Sequence, residues 1–231
     1  MNKIVTQQDV GRARFLDVLH RLRTEILNGT VEPNQKLSID DIARRYDVST
    51  GTLREVISRL VAEQLLIMDG QKGVRVTPIS VADIDDIINV RILLETHALR
   101  ESMRRGGHAW ESGIVASQHK LSRIQRDALE GREQWNTEWH RTNREFHLAL
   151  GSACGSPRIL QILNSLFDQS QRYGLRFLQS HGAVIKFAND HNEIIEAILA
   201  HDMEKACERL RAHLEQVRFD LTQVPKLSSV S

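Results

Sequence analysis

Among ten histidines, three fall where an all-helical core would bury them. His147 stands between Phe146 and Leu150 on the apolar side of NREFHLAL, one turn after Asn143. His191 precedes Ile194, Ile195 and Ile198 on the stripe of its segment, and His213 stands among Leu210, Leu214 and Val217. An imidazole facing a core must find a partner, because an unpaired buried polar group costs on the order of 1–3 kcal/mol. One solution is a backbone carbonyl for each ring, which makes all three structural. The other is a shared first-row divalent ion such as zinc, nickel or manganese, for which imidazole is a preferred ligand. Spacing leaves both open. His20, His108, His119, His181 and His201 sit at expected helix ends or among polar neighbours and need neither.

A second chemistry is written into residues 38–60, SIDDIARRYDVSTGTLREVISRL. The period gives two short amphipathic helices with a tight turn at Asp47-Val48. Ser38 and Ser49 stand as their N-caps. Ile39, Ile42, Ala43 and Tyr46 share one face of the first helix. Leu53, Val56, Ile57, Leu60 and Val61 form the buried stripe of the second. Thr50, Gly51, Thr52, Arg54 and Ser58 remain on its open face. Small and hydroxyl side chains with an arginine suit a major groove, where arginine can make a bidentate contact to guanine. Residues 65–77, LLIMDGQKGVRVT, follow as a β-hairpin, a wing from which Lys72 and Arg75 could reach phosphate or the minor groove. The candidate DNA contacts are Ser49, Thr50, Thr52, Arg54, Arg45, Lys72 and Arg75. A helical hairpin buried in an ordinary core is the competing reading of the same stretch.

These residues need a scaffold, and the rest of the chain supplies a helical one. A first helix is expected over about 11–28, with Phe15, Val18, Leu19, Leu22 and Ile26 at 3-4 spacing and Asn28-Gly29 as a stop. After the Pro78-Ile79-Ser80 linker, six helical segments are expected: 81–105, 109–130, 133–153, 156–180, 184–200 and 202–222. The fold class is therefore mainly α, with a winged helix-turn-helix over 1–78 and an antiparallel helical bundle over 79–231. The chain has 231 residues, room for two small cores. Hydrophobic residues at 41% and charged residues at 26% are globular values. Net charge is +1 overall, and residues 1–77 hold 12 Lys+Arg against 10 Asp+Glu. Any DNA contact must then come from a local patch rather than a polycationic surface. No apolar run reaches membrane-spanning length, and the first fifteen residues lack the apolar stretch of a signal peptide. Two cysteines, Cys154 and Cys207, lack metal spacing and are expected to be reduced, consistent with a cytoplasmic protein. Enzyme patterns are absent: no Glu-x-x-His of a di-iron bundle, no His-Glu-x-x-His and no Gly-x-Ser-x-Gly. A metal-dependent helical-bundle enzyme is the remote alternative.

The run RTEILNGTVEPNQKLSIDDIARRYDVSTGTLREVISRLVAEQLLIMDGQKGVRVTPIS resembles the winged-helix domain of the GntR regulators, over about residues 14–78. The matching features are the Ile-Leu-x-Gly end of the first helix, the Pro-x-x-x-Leu entry to the second, Val-Ser-x-x-x-Leu-Arg-Glu and the Gly-x-x-Val wing. The position after Ser49, usually arginine in that family, is Thr50, and Arg54 matches the other recognition arginine. Residues 83–222 resemble the FCD ligand-binding domain of the FadR branch. The resemblance implies a metal on Asn143, His147, His191 and His213, with asparagine where aspartate is usual. Arg91 and Glu95 match an Arg-x-x-x-Glu of the domain's first helix. Inward histidines in a domain attached to a DNA reader then suggest a homodimeric repressor on a palindromic operator, released by a small carboxylate bound at the metal by Arg91 and Arg172. A metal-free bundle holding an acyl-CoA or other bulky ligand is the alternative within the same class.

Overall fold

The structure is a computed structural model that describes residues 7–70, 73–132, 135–177 and 181–222. It divides after Ile79 into two compact units. The first begins with α1 (Gln7–Leu27), β1 (Lys36–Leu37), α2 (Ile39–Tyr46) and α3 (Thr50–Ala62), and ends with β2 (Leu66–Met68) and β3 (Val74–Val76). Val18, Leu22 and Ile26 of α1 meet Leu53, Val56 and Leu60 of α3 in a core closed by Leu65, Leu66, Val74 and Val76. These are the apolar positions of the 3-4 pattern, and their burial is what holds three short helices together. The two wing strands pair antiparallel, Leu66 opposite Val76 and Met68 opposite Val74. A third strand was not expected: β1 pairs with β3 through Lys36–Arg75 and Leu37–Val74, giving the order β1-β3-β2.

The second unit contains α4 (Val81–Arg105), α5 (His108–Leu129), α6 (Trp135–Leu150), α7 (Pro157–Phe177), α8 (His181–Leu199) and α9 (Met203–Thr222). Among the described residues no strand follows Val76. Neighbouring helices run antiparallel, as side-chain pairs at opposite ends show. Arg100 of α4 bonds Glu204 at the start of α9, while Arg218 near the end of α9 bonds Asn89 near the start of α4. On the other flank, Asp83 of α4 meets Tyr173 of α7, and Ala98 packs with Leu163. Helix α4 therefore lies against α7 and α9, with α6 also touching it. Helix α8 starts at His181, three residues before the expected position, because Gly182 sits in the first turn and does not break it.

Candidate metal and effector centre and DNA-contact surface

In the first unit the turn between α2 and α3 is made by Asp47, whose left-handed φ of 50° lets its N–H cap α2 on the Ala43 and Arg44 carbonyls. Ser49 then caps α3: its Oγ accepts from Thr52 N–H at 3.1 Å and lies 3.0 Å from Thr52 Oγ1. Both hydroxyls are thus engaged in starting the helix. Thr50 and Arg54 are exposed on its outer face, and among the described residues Arg54 makes no ion pair. Arg45 pairs with Glu25 at 2.8 Å and lies over the Tyr46 ring. Arg75 is tied within the wing, donating to the Asn34 carbonyl at 2.8 Å and to Asp69 Oδ2 at 2.8 Å. Those bonds stretch its guanidinium between the Asn34 loop and the turn of the hairpin, so it braces the wing. Lys72 lies outside the described residues.

In the second unit the three inward histidines come from α6, α8 and α9 and meet. Their ring centroids are 4.7–5.5 Å apart, and one nitrogen from each falls within 4.8 Å of the others. All three rings are buried, His191 completely. Two of them are oriented by carboxylates. Glu95 Oε2 lies 2.7 Å from His147 Nδ1, and Asp190 Oδ2 lies 3.0 Å from His213 Nδ1. A carboxylate oxygen accepts, so each Nδ1 carries the proton and each Nε2 presents a lone pair. His191 Nε2 is 3.3 Å from His213 Nε2, while its Nδ1 is buried without a partner.

Burial disfavours the charged form of two of these rings, His147 and His191. Burial pushes His191 well below the usual imidazole range, and the neighbouring His213 and His147 push it further. Burial also lowers His147, partly opposed by the Glu95 carboxylate. Burial alone would raise Glu95, but Arg91 and His147 override it and bring it down to about 2. Arg91 donates from Nε to Glu95 Oε1 at 2.7 Å, lies 4.1 Å over the Phe167 ring and reaches Ser170 Oγ at 3.4 Å. Three buried imidazoles, each with a nitrogen within 4.8 Å of the others, form a competent donor set for a borderline divalent ion. Asn143 fits the same set. Its Oδ1 is buried with no hydrogen-bond partner, and the residue lines the cavity beside His147 and His213.

That cavity has a volume of about 70 Å³ and is lined by Arg91, His140, Asn143, Arg144, His147, Ser170 and His213 among others. Arg172 is not part of it. Its buried guanidinium lies 3.6 Å from Asp83 on the far side of α7, where burial lowers its pKa. Residues 170, 171 and 174 of α7 face the cavity, and at 100° per residue position 172 points away from them. The arginine that does line the cavity with Arg91 is Arg144, held by Asn164 and Asp168. His140 was missed as well, although 140, 143, 144 and 147 recur at one-turn spacing on a single face of α6.

Known proteins share both halves of this arrangement. Residues 16–76 match the family described as bacterial regulatory proteins, gntR family, and residues 86–216 match the FCD domain. The HTH-type transcriptional regulator BphR of Paraburkholderia xenovorans is 36% identical over 84% of this chain and 80% of its own. The HTH-type transcriptional repressor GlaR of Escherichia coli is 33% identical over 91% of this chain and 94% of its own. In fold, a GntR regulator from Rhodococcus sp. RHA1 superposes with a TM-score of 0.76 at 24% identity, covering 95% of this chain and all of that one. Escherichia coli McbR/YncC superposes at 0.75 with 19% identity, over 91% and 97%. These relatives are regulators rather than enzymes, and among the described residues no helix is long and apolar enough to cross a membrane. A winged DNA-reading unit followed by a helical unit with a buried histidine centre, matched along both halves, places this chain in the GntR family of DNA-binding transcriptional regulators, among those carrying an FCD domain.

Proposed function

We propose that this regulator is a cytoplasmic homodimer of the FadR subfamily that represses from a palindromic operator and is released by a small carboxylate. The effector binds beside a divalent ion held by His147, His191, His213 and Asn143. The observation that carries this reading is the set of three buried imidazoles with one nitrogen each within 4.8 Å of the others, two of them oriented by carboxylates, beside a cavity lined by His147, His213 and Arg91. The ion would supply a fixed positive charge to which a carboxylate oxygen coordinates. Arg91 orients that carboxylate, and Arg144 lines the cavity beside it. A ligand donor set of neutral imidazoles and an amide leaves the ion's charge uncancelled, which favours an anion. Three buried histidines beside the cavity favour a small anion over the bulky alternative, whose apolar chain has no use for them.

For the operator, Thr50 and Arg54 present the open face of α3, with Ser49 and Thr52 at its start. Arg45 and Lys72 are the candidate backbone contacts, while Arg75 holds the wing in shape. Two-fold symmetry in the protein would be mirrored by two half-sites about one helical turn apart. The repressor role is supported by the name of the Escherichia coli relative.

The test is metal analysis of the full chain purified without a metal-affinity tag, followed by thermal shift with small carboxylates, with and without chelator. One equivalent of metal per chain and a ligand shift that disappears on chelation are expected. The ratio of operator affinities with and without that ligand should then collapse toward one in His191→Ala/His213→Ala. A metal-free protein whose melting point ignores added zinc, nickel and manganese overturns the ion, and a monomer by light scattering overturns the dimer.

A further inference from the structure

His140 lies on α6 one turn before Asn143 and Arg144 and two turns before His147, on the stripe that lines the cavity. Only 9% of the residue is exposed. Its ring stands edge-on to Trp139 at 5.3 Å, and the backbone of Gly174 covers it closely. A Cβ at 174 would sit 2.6 Å from His140 Cε1, so glycine is what lets α7 approach the imidazole. Yet Nε2 of this ring is buried with no hydrogen-bond partner. Leaving such a nitrogen unpaired costs on the order of 1–3 kcal/mol, and a retained orphan calls for a function. The ion centre does not provide one, because the converging nitrogens belong to His147, His191 and His213. Burial brings the His140 pKa down to about 4, so near neutral pH the ring offers one N–H and one lone pair rather than a charge.

We propose that His140 is a second anchor of the effector site, donating a hydrogen bond to an oxygen at the end of the ligand remote from the three histidines. This rests on the effector reading above and sharpens it. Along the helix axis His140 is ~4.5 Å from Asn143 and ~10.5 Å from His147. The effector must therefore carry two oxygen-bearing groups separated by a short spacer. One is a carboxylate at the histidine centre, and the other accepts from His140. A molecule with the carboxylate alone leaves the imidazole orphaned, and that unpaired donor is the basis of discrimination.

The experiment uses the zinc-loaded full chain, with acetate as the single-headed probe and straight α,ω-dicarboxylates of three to six carbons as two-headed probes. Affinities are read by calorimetry. One chain length should bind about ten-fold more tightly than acetate, the value of one good hydrogen bond. His140→Leu should erase that advantage without changing the acetate affinity, and His140→Gln should restore part of it. Wild-type preference retained in His140→Leu, equal losses for acetate and the best diacid, or no response to any probe each overturns the proposal. If chelation leaves binding intact while His140→Leu still erases the preference, the ion reading fails and the anchor stands. Should His140→Leu not fold, long-range 1H–15N spectra of the wild-type rings carry the test. The His140 Nε2 resonance should move with the best diacid and not with acetate, and an unmoved resonance overturns the anchor.

Discussion

Glu95 binds on both sides at once, with Arg91 on one oxygen and His147 on the other, and it is 3% exposed. Glu95→Gln removes the negative charge but keeps the shape, leaving the Arg91 guanidinium buried without a counter-charge. A loss of about 3 kcal/mol in urea unfolding is expected for such a broken pair. Metal affinity should fall about 10–100-fold in a chelator competition, as for other outer partners of a ligating histidine. His140 sets a pH dependence of its own. Its folded pKa of about 4 lies below the ordinary 6.5, so the unfolded chain takes up the proton first. Its contribution is complete above about pH 6.5 and is lost as the pH falls toward 4. Between pH 7 and 5 the chelator-treated protein should lose about 2 kcal/mol from this ring alone. The slope should be shallower in His140→Phe, and an equal slope in the two proteins would remove this assignment. His147, His191 and His213 were legible because each falls on the apolar stripe of its helix, in step with Leu, Ile, Val or Phe. His140 and Arg144 were not, because WNTEWHRTNR is polar on every side and hides which face turns inward. The polar run DQSQR of α7 hid the orientation of Arg172 in the same way.

At the scale of elements, α3 separates two roles that share one helix. Ser49 starts it by accepting from Thr52 N–H, whereas Arg54 is exposed with no ion pair among the described residues. Ser49→Ala should lower stability by about 1 kcal/mol, seen as a drop in melting temperature, through the lost cap. Arg54→Ala should leave the melting temperature in place and weaken operator binding by about 1–3 kcal/mol if it reads a base. A binding assay at two salt concentrations distinguishes the cases. A base contact alters sequence preference, whereas a phosphate contact changes the salt slope. The helices were readable because burial in this chain follows period and because Ser, Asp and Gly mark the ends. Strand β1 was not, since two residues carry no period. Lys36-Leu37 is extended because β3 offers it a partner, a long-range cause with no local signature.

Across the whole molecule, the two units have separate cores, and the histidine centre belongs only to the second. Ion binding should therefore stabilise that unit alone, by about 2.7 kcal/mol at a hundred times its Kd. Calorimetry should show one unfolding transition moving with zinc and chelator while the other stays fixed. A single transition shifting as one would mean that the units unfold together. Helix α7 adds a consequence for how the second unit is built. Its Ser170 and Gly174 face the cavity, while Tyr173 bonds the amide of Ser80 at 3.2 Å and the carboxylate of Asp83. Ser80 is the residue at which the chain enters the second unit. One turn of α7 thus carries both a wall of the cavity and the bond that holds the residue where the chain enters the second unit.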